Sequence, residues 1–156
     1  QVLGRGPNTE IVLIYALTDS TGADPFYCWV GTPPVPAIPH HLQRLPDQVK
    51  VLHTHLHDAF RWAVKAFGGI LPITELDRVS DYTRPGDLRV VNANTEPDLS
   101  HIVMIYVAGS SATICAGLSN DTGPATGWIY GGGEIERVDN FWSLLDEWIT
   151  LRVSRS

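Results

Sequence analysis

LRVVNA (88–93), HIVMIYV (101–107), ATICAGL (112–118), GWIYG (127–131) and EIERV (134–138) are the stretches that decide the fold. Each is short and rich in β-branched or aromatic residues, which suit a pleated, half-buried surface. Turn-forming stretches separate them: EPD, GSS, NDTGPAT and a Gly-Gly pair. Connections this short join antiparallel neighbours, because a parallel return needs a crossover of about a dozen residues or more. The series therefore predicts an antiparallel meander with the almost wholly apolar run His101–Val107 as its central strand.

Helical patterns flank the series. Downstream, Asp139 or Asn140 caps a helix in which Phe141, Leu144, Leu145, Trp148 and Ile149 share a face. Upstream, Pro46 stands in the first-turn position, where its missing N–H costs little, and Asp47 follows near the positive end of the dipole. Val49, Leu52, Leu56, Ala59, Phe60, Ala63 and Phe67 then recur at three- and four-residue steps, predicting one buried face, and Gly68-Gly69 ends the helix. ILPITELDRV (70–79) reads as a connection into a brief second helical turn. The fold class expected is α+β, an antiparallel meander sheet with helices packed on one face.

The first 41 residues have a different texture. IVLIY (11–15) and FYCWV (26–30) flank the turn-rich stretch Asp19–Pro25 and predict an N-terminal β-hairpin. GTPPVPAIPHH (31–41) holds four prolines, which exclude regular structure and make it a semi-rigid arm. Residues 1–41 are thus expected to pack, as hairpin and arm, on a main α+β domain of residues 42–156, in one folding unit.

Composition narrows the function classes. Apolar content of 44% with 18% charged residues excludes disorder, and 156 residues suffice for one core. The longest apolar run, residues 102–108, is far short of the ~20 residues that cross a bilayer. A net charge of −6 argues against nucleic-acid binding, which needs clustered Lys and Arg, and favours a basic protein partner. Two cysteines, Cys28 and Cys115, make no disulfide framework and no metal-ligand spacing, so a reduced, cytoplasmic protein is expected.

His53-Thr-His55-Leu-His57-Asp58 is the most conspicuous chemical pattern. On a helix, residues two apart point about 160° away from each other, so only His53 and His57, at i and i+4, could share an ion. No second cluster of ligating residues follows to complete a coordination sphere. The preferred reading makes His53 a core histidine with one buried hydrogen bond and expects no cofactor. Gly131-Gly132-Gly133 lies between strands and reads as a hairpin turn, and Gly109-Ser110-Ser111 lacks the form of a nucleophile elbow. Charge gathers between Leu118 and Trp148, where Asp121, Glu134, Glu136, Asp139, Asp146 and Glu147 face one base, Arg137. That stretch is either a solvated rim or an acidic surface that steers a basic partner.

Taken in order, several elements resemble the SUKH superfamily, which includes many bacterial toxin-immunity proteins. They are Leu45-Pro46 opening a helix, His57-Asp58 within it, Phe67-Gly68-Gly69 followed by Leu71-Pro72, then Glu75-Leu76. The strand series and Phe141-Trp142 with Leu145-Asp146-Glu147-Trp148 complete the pattern, over roughly residues 42–153. The resemblance implies an α+β domain without catalysis that binds a cognate toxin and blocks it inside the producing cell. Other members are eukaryotic regulators, so a regulatory scaffold is the alternative, and a small metal-dependent hydrolase using His53 and His57 is a second. No toxin-contacting residue is transferred from the family. From the sequence itself, Asp121, Glu134, Glu136 and Asp139 are candidates for steering a toxin with a basic cleft. Trp128, Tyr130 and Trp142 are candidate anchors, with the shared face of Trp128 and Tyr130 either core or surface.

Overall fold

The structure is a computed structural model of the chain, and it describes residues 13–17, 27–62, 68–109, 112–118 and 125–154. It is a mixed α+β protein built on one open, mostly antiparallel sheet. The strands are β1 (Leu13–Leu17), β2 (Tyr27–Gly31), β3 (Phe60–Trp62), β4 (Gly69–Ile70), β5 (Arg89–Val91), β6 (Ile102–Val107), β7 (Thr113–Gly117), β8 (Gly127–Gly131) and β9 (Glu134–Val138). Two α-helices, α1 (Asp47–Val51) and α2 (Phe141–Ser154), accompany them.

The sheet order is β1-β2-β3-β4-β6-β7-β8-β9-β5. The expected meander is present as β6, β7, β8 and β9, each antiparallel to the next. Gly132 and Gly133, both with positive φ, make the two-residue turn between β8 and β9. This is the conformation that two-residue hairpins of type I′ demand and glycine accepts without strain. LRVVNA departs from the expected order. Its strand β5 passes to the far edge and pairs in parallel with β9, Arg89 opposite Glu134 and Val91 opposite Glu136. The long stretch between β5 and β9 provides the crossover that a parallel pairing requires.

Alternation along the strands divides the core in two. Val103, Ile105, Ile114 and Ala116 face the helices, joining Leu42, Leu45, Val49, Phe141, Leu144 and Leu145. Their neighbours Ile102, Met104, Cys115, Trp128 and Ile135 point the other way, against Val79 and Leu99 from the irregular segment between β4 and β6. Cys115 is fully buried, as expected for a small core residue, and burial pushes its thiol up. At the start of α2, Asn140 Oδ1 accepts the backbone N–H groups of Trp142 and Ser143 at 2.9 and 3.2 Å, the N-cap read from the sequence.

The long helix expected from Pro46 to Phe67 does not form. After five residues α1 widens into a π-helical turn, Leu52–Leu56, closed by His57 N–H to the Leu52 carbonyl at 2.9 Å. Phe60–Trp62 is a strand, filling the slot between β2 and β4. Leu56, assigned to the buried face, is 57% exposed. Residues 63–67 lie outside the described residues. Gly69 is no helix terminator; at φ 132° it brings β4 so close to β3 that a Cβ would stand 2.2 Å from the Phe60 carbonyl oxygen. Tertiary pairing has overridden a helical spacing, as it can wherever a strand slot is open and residues such as Phe and Trp fit it.

The N-terminal part is continuous with this sheet. β1 pairs antiparallel with β2, and β2 with β3, while the turn expected at residues 19–25 lies outside the described residues. The proline arm is irregular from residue 32 to 39, and its Val35 and Ile38 pack on the helix-side core. Val35 N–H also donates to the His53 carbonyl at 2.9 Å.

Where the arm leaves β2, Gly31 is buried against the imidazole of His57. That ring stacks on Phe60 at 5.7 Å, and Phe60 on Trp29 at 4.9 Å. A Cβ on Gly31 would lie 2.6 Å from His57 Nδ1, in a ring already stacked on Phe60, so one of the two must shift. Gly31→Ala should therefore cost about 2 kcal/mol in urea unfolding, as overpacking does. The loss should shrink when Gly31→Ala is made together with His57→Ala. Equal costs in both backgrounds would show that the ring is not the obstacle.

Candidate partner-binding surface

His53 is fully buried. Its Nδ1 donates to the Asp58 carbonyl at 2.7 Å and lies 3.3 Å from the Asp58 carboxylate. A carbonyl accepts only, so the neutral ring carries its proton on Nδ1, and Nε2 is buried without a hydrogen-bond partner among the described residues. His57 is extended rather than helical, so the i, i+4 geometry that would have let it share an ion with His53 does not exist. His55 is exposed and bonds to Thr54 Oγ1 at 2.7 Å. Among the described residues, no group of three or more His, Cys, Asp or Glu is placed to hold a metal ion.

Cross-strand register sorts the candidate contact residues. Trp128 and Tyr130 share one face, as their spacing predicted, and it is the face covered by the irregular segment. Trp128 is only 9% exposed, so it is core, whereas Tyr130 is half-buried. Glu134 and Glu136 alternate with Ile135 and so point to the helix side, Glu136 directly opposite Ile129. Both acids are engaged. Glu134 accepts from Arg89 Nε at 2.7 Å, and Glu136 from Asn92 Nδ2 at 2.8 Å, which fastens β5 to β9. Asp139 is exposed, 4.0 Å from Arg137 Nε. Trp142 is half-buried, edge-on to Phe141 and packed on the helix-side core. Asp121 lies outside the described residues. The six candidates among the described residues do not form one patch.

Tyr130 and Glu134 both stand at the glycine tip of the β8–β9 hairpin, on opposite faces of the sheet. Beside this tip runs the turn-rich stretch after the 3₁₀ turn Val79–Asp81. Tyr82 there is 61% exposed and donates its hydroxyl to the Asp77 carboxylate at 2.6 Å, a bond that raises the phenol's pKa by favouring its protonated form. Asp81 and Asp87 are exposed on the same stretch. The end of the sheet thus carries two tyrosines, three aspartates and a glycine turn. Tyr82 and Asp87 sit in a segment with neither helical nor strand periodicity, so only their placement in space reveals them.

Burial lowers the pKa of His53, outweighing the Asp58 carbonyl and carboxylate that pull it up. The folded state therefore resists the proton that the unfolded state takes up below the ordinary value of 6.5. Stability should be independent of this group above that pH and fall as pH drops below it, with a slope approaching about 1.4 kcal/mol per pH unit. NMR titration of the ring protons checks this directly: His53 should titrate below 6.5, and a titration at or above that value would contradict the buried neutral ring.

Comparison with family models, with curated proteins and with solved structures returned no match to this chain.

Proposed function

We propose that the chain is a non-catalytic immunity protein that neutralises a cognate bacterial toxin by stoichiometric binding in the cytoplasm. It occludes a basic active-site cleft with the end of the sheet where Tyr82 and Tyr130 stand among Asp77, Asp81 and Asp87. The observation that carries this reading is Tyr82, a large aromatic side chain left 61% exposed while its hydroxyl is fixed on a carboxylate. A tyrosine held in place gives up little conformational freedom on binding and offers both an apolar face and a polar tip. The net charge of −6 and the sequence resemblance to SUKH proteins support the same reading. Glu134 contributes here by holding Arg89, and with it β5, beside the tip. Trp128 and Trp142 support the fold beneath.

Affinity capture from cells of the source strain that express the toxin, with mass spectrometry of the partner, is the test. One toxin-like polypeptide at near-equal stoichiometry is expected. A housekeeping enzyme or signalling protein in its place would assign the chain to the regulatory scaffolds. With the captured partner, Tyr82→Ala should weaken binding by about 2 kcal/mol while leaving the melting temperature nearly unchanged. Association should slow roughly ten-fold as ionic strength rises from about 0.05 to 0.5 M, and a rate indifferent to salt would remove the acidic surface from the mechanism.

A further inference from the structure

A groove of about 330 Å³ opens between the glycine tip and the segment after Tyr82. Thr83 and Asp87 form one wall, Tyr130 and Thr113 the other, and Gly131–Gly133 the rim. Three features make it selective for one kind of group. Asp87 is the only charged residue among the described residues that line it. Its carboxylate is exposed and makes no hydrogen bond or ion pair among the described residues, whereas Glu134 and Glu136 nearby are both engaged. Tyr130 supplies an aromatic wall, and a ring face attracts a cation most strongly where part of the surrounding water is displaced. Finally, a Cβ on Gly132 or Gly133 would meet nothing within 4 Å, so the rim is open and an incoming chain can approach the backbone closely.

We propose that this groove is the seat of an arginine side chain from the partner, its guanidinium paired with the Asp87 carboxylate and lying against the ring of Tyr130. A guanidinium is planar and weakly hydrated, with donors arranged in a fork that matches a carboxylate while its flat face stacks on an aromatic ring. An ammonium satisfies the charge but not the stacking. An anion is disfavoured by Asp87, and an uncharged apolar group would strip water from that carboxylate without replacing it. Arg84 and Arg89 bracket the segment, yet neither lines the groove, and Arg89 is held by Glu134. The inference rests on the reading of this end as a partner-binding surface and names the contact within it.

The test uses the whole chain with a blocked arginine, N-acetyl-arginine amide, followed by NMR. Saturable shifts confined to Tyr130, Asp87 and the Gly131–Gly133 amides are expected, with a dissociation constant of about a millimolar. N-acetyl-lysine amide should bind several-fold more weakly. Asp87→Asn, which alters an exposed side chain outside the hydrogen-bond network, should weaken the arginine probe roughly five-fold or more with the remaining spectrum unchanged. Tyr130→Leu keeps the apolar contact on the core side and should weaken it further. Shifts spread over many carboxylates, or unaltered in Asp87→Asn, would overturn the proposal. A captured toxin that binds wild type and Asp87→Asn equally would also overturn it, while leaving the proposed inhibitory role standing.

Discussion

The carboxyl group of Asp58 ties together three segments that the chain alone would not hold in register. Its Oδ1 accepts the Ile73 N–H at 2.8 Å and lies 3.3 Å from His53 Nδ1, while its backbone carbonyl takes the imidazole proton at 2.7 Å. Next to it, Thr32 exchanges bonds with Ala59, N–H to carbonyl at 3.0 Å and Oγ1 from N–H at 2.8 Å. The π-helical turn after α1, the start of β3, the proline arm and the 3₁₀ turn Ile73–Glu75 meet at this node. Each buried polar group there would cost about 1–3 kcal/mol if left unsatisfied. That cost explains why the helix yields: continuing it past Leu56 would carry Asp58 and Ala59 away from the partners that Thr32, His53 and Ile73 require.

The same node accounts for what could and could not be read from the sequence. The strands from β6 to β9 and the Asn140 cap were legible because their signals are local, a run of β-branched residues or an amide beside the first free N–H groups. The helix from Pro46 was half legible. Pro46, Asp47 and Val49 do what their positions imply, but the spacing from Leu56 to Phe60 imitated a helical face by coincidence. Nothing local distinguishes that coincidence from a real face, since what decides it is Thr32 and Ile73, distant in sequence. His53 was read as a core residue because it fell among apolar positions, and it is one, although on a π-helical turn.

For the surface, the acidic composition was visible but its division of labour was not. Glu134 and Glu136 look like free acids in the sequence because their partners, Arg89 and Asn92, belong to a strand expected elsewhere in the sheet. Trp128 and Tyr130 were correctly placed on one face, yet only the outer of the two reaches solvent enough to matter. Asp87 and Tyr82 gave no signal, being ordinary polar and aromatic residues in a stretch without period. A surface made from a hairpin tip and an irregular segment is a property of three-dimensional proximity alone.

The parallel edge strand has a consequence for the order in which the molecule assembles. The β8–β9 hairpin closes across a two-residue turn, whereas the Arg89–Glu134 contact closes a loop 45 residues apart in sequence. Chain-closure entropy makes the longer loop costlier by roughly 2 kcal/mol, and β5 has no template until β9 exists. β5 is therefore among the last elements to dock and the first to open in native-state fluctuations. The stretch bearing Tyr82 and Asp87 runs directly into it. A partner seated on the proposed surface would thus slow amide exchange in β5 and couple its own affinity to the docking of a single short strand.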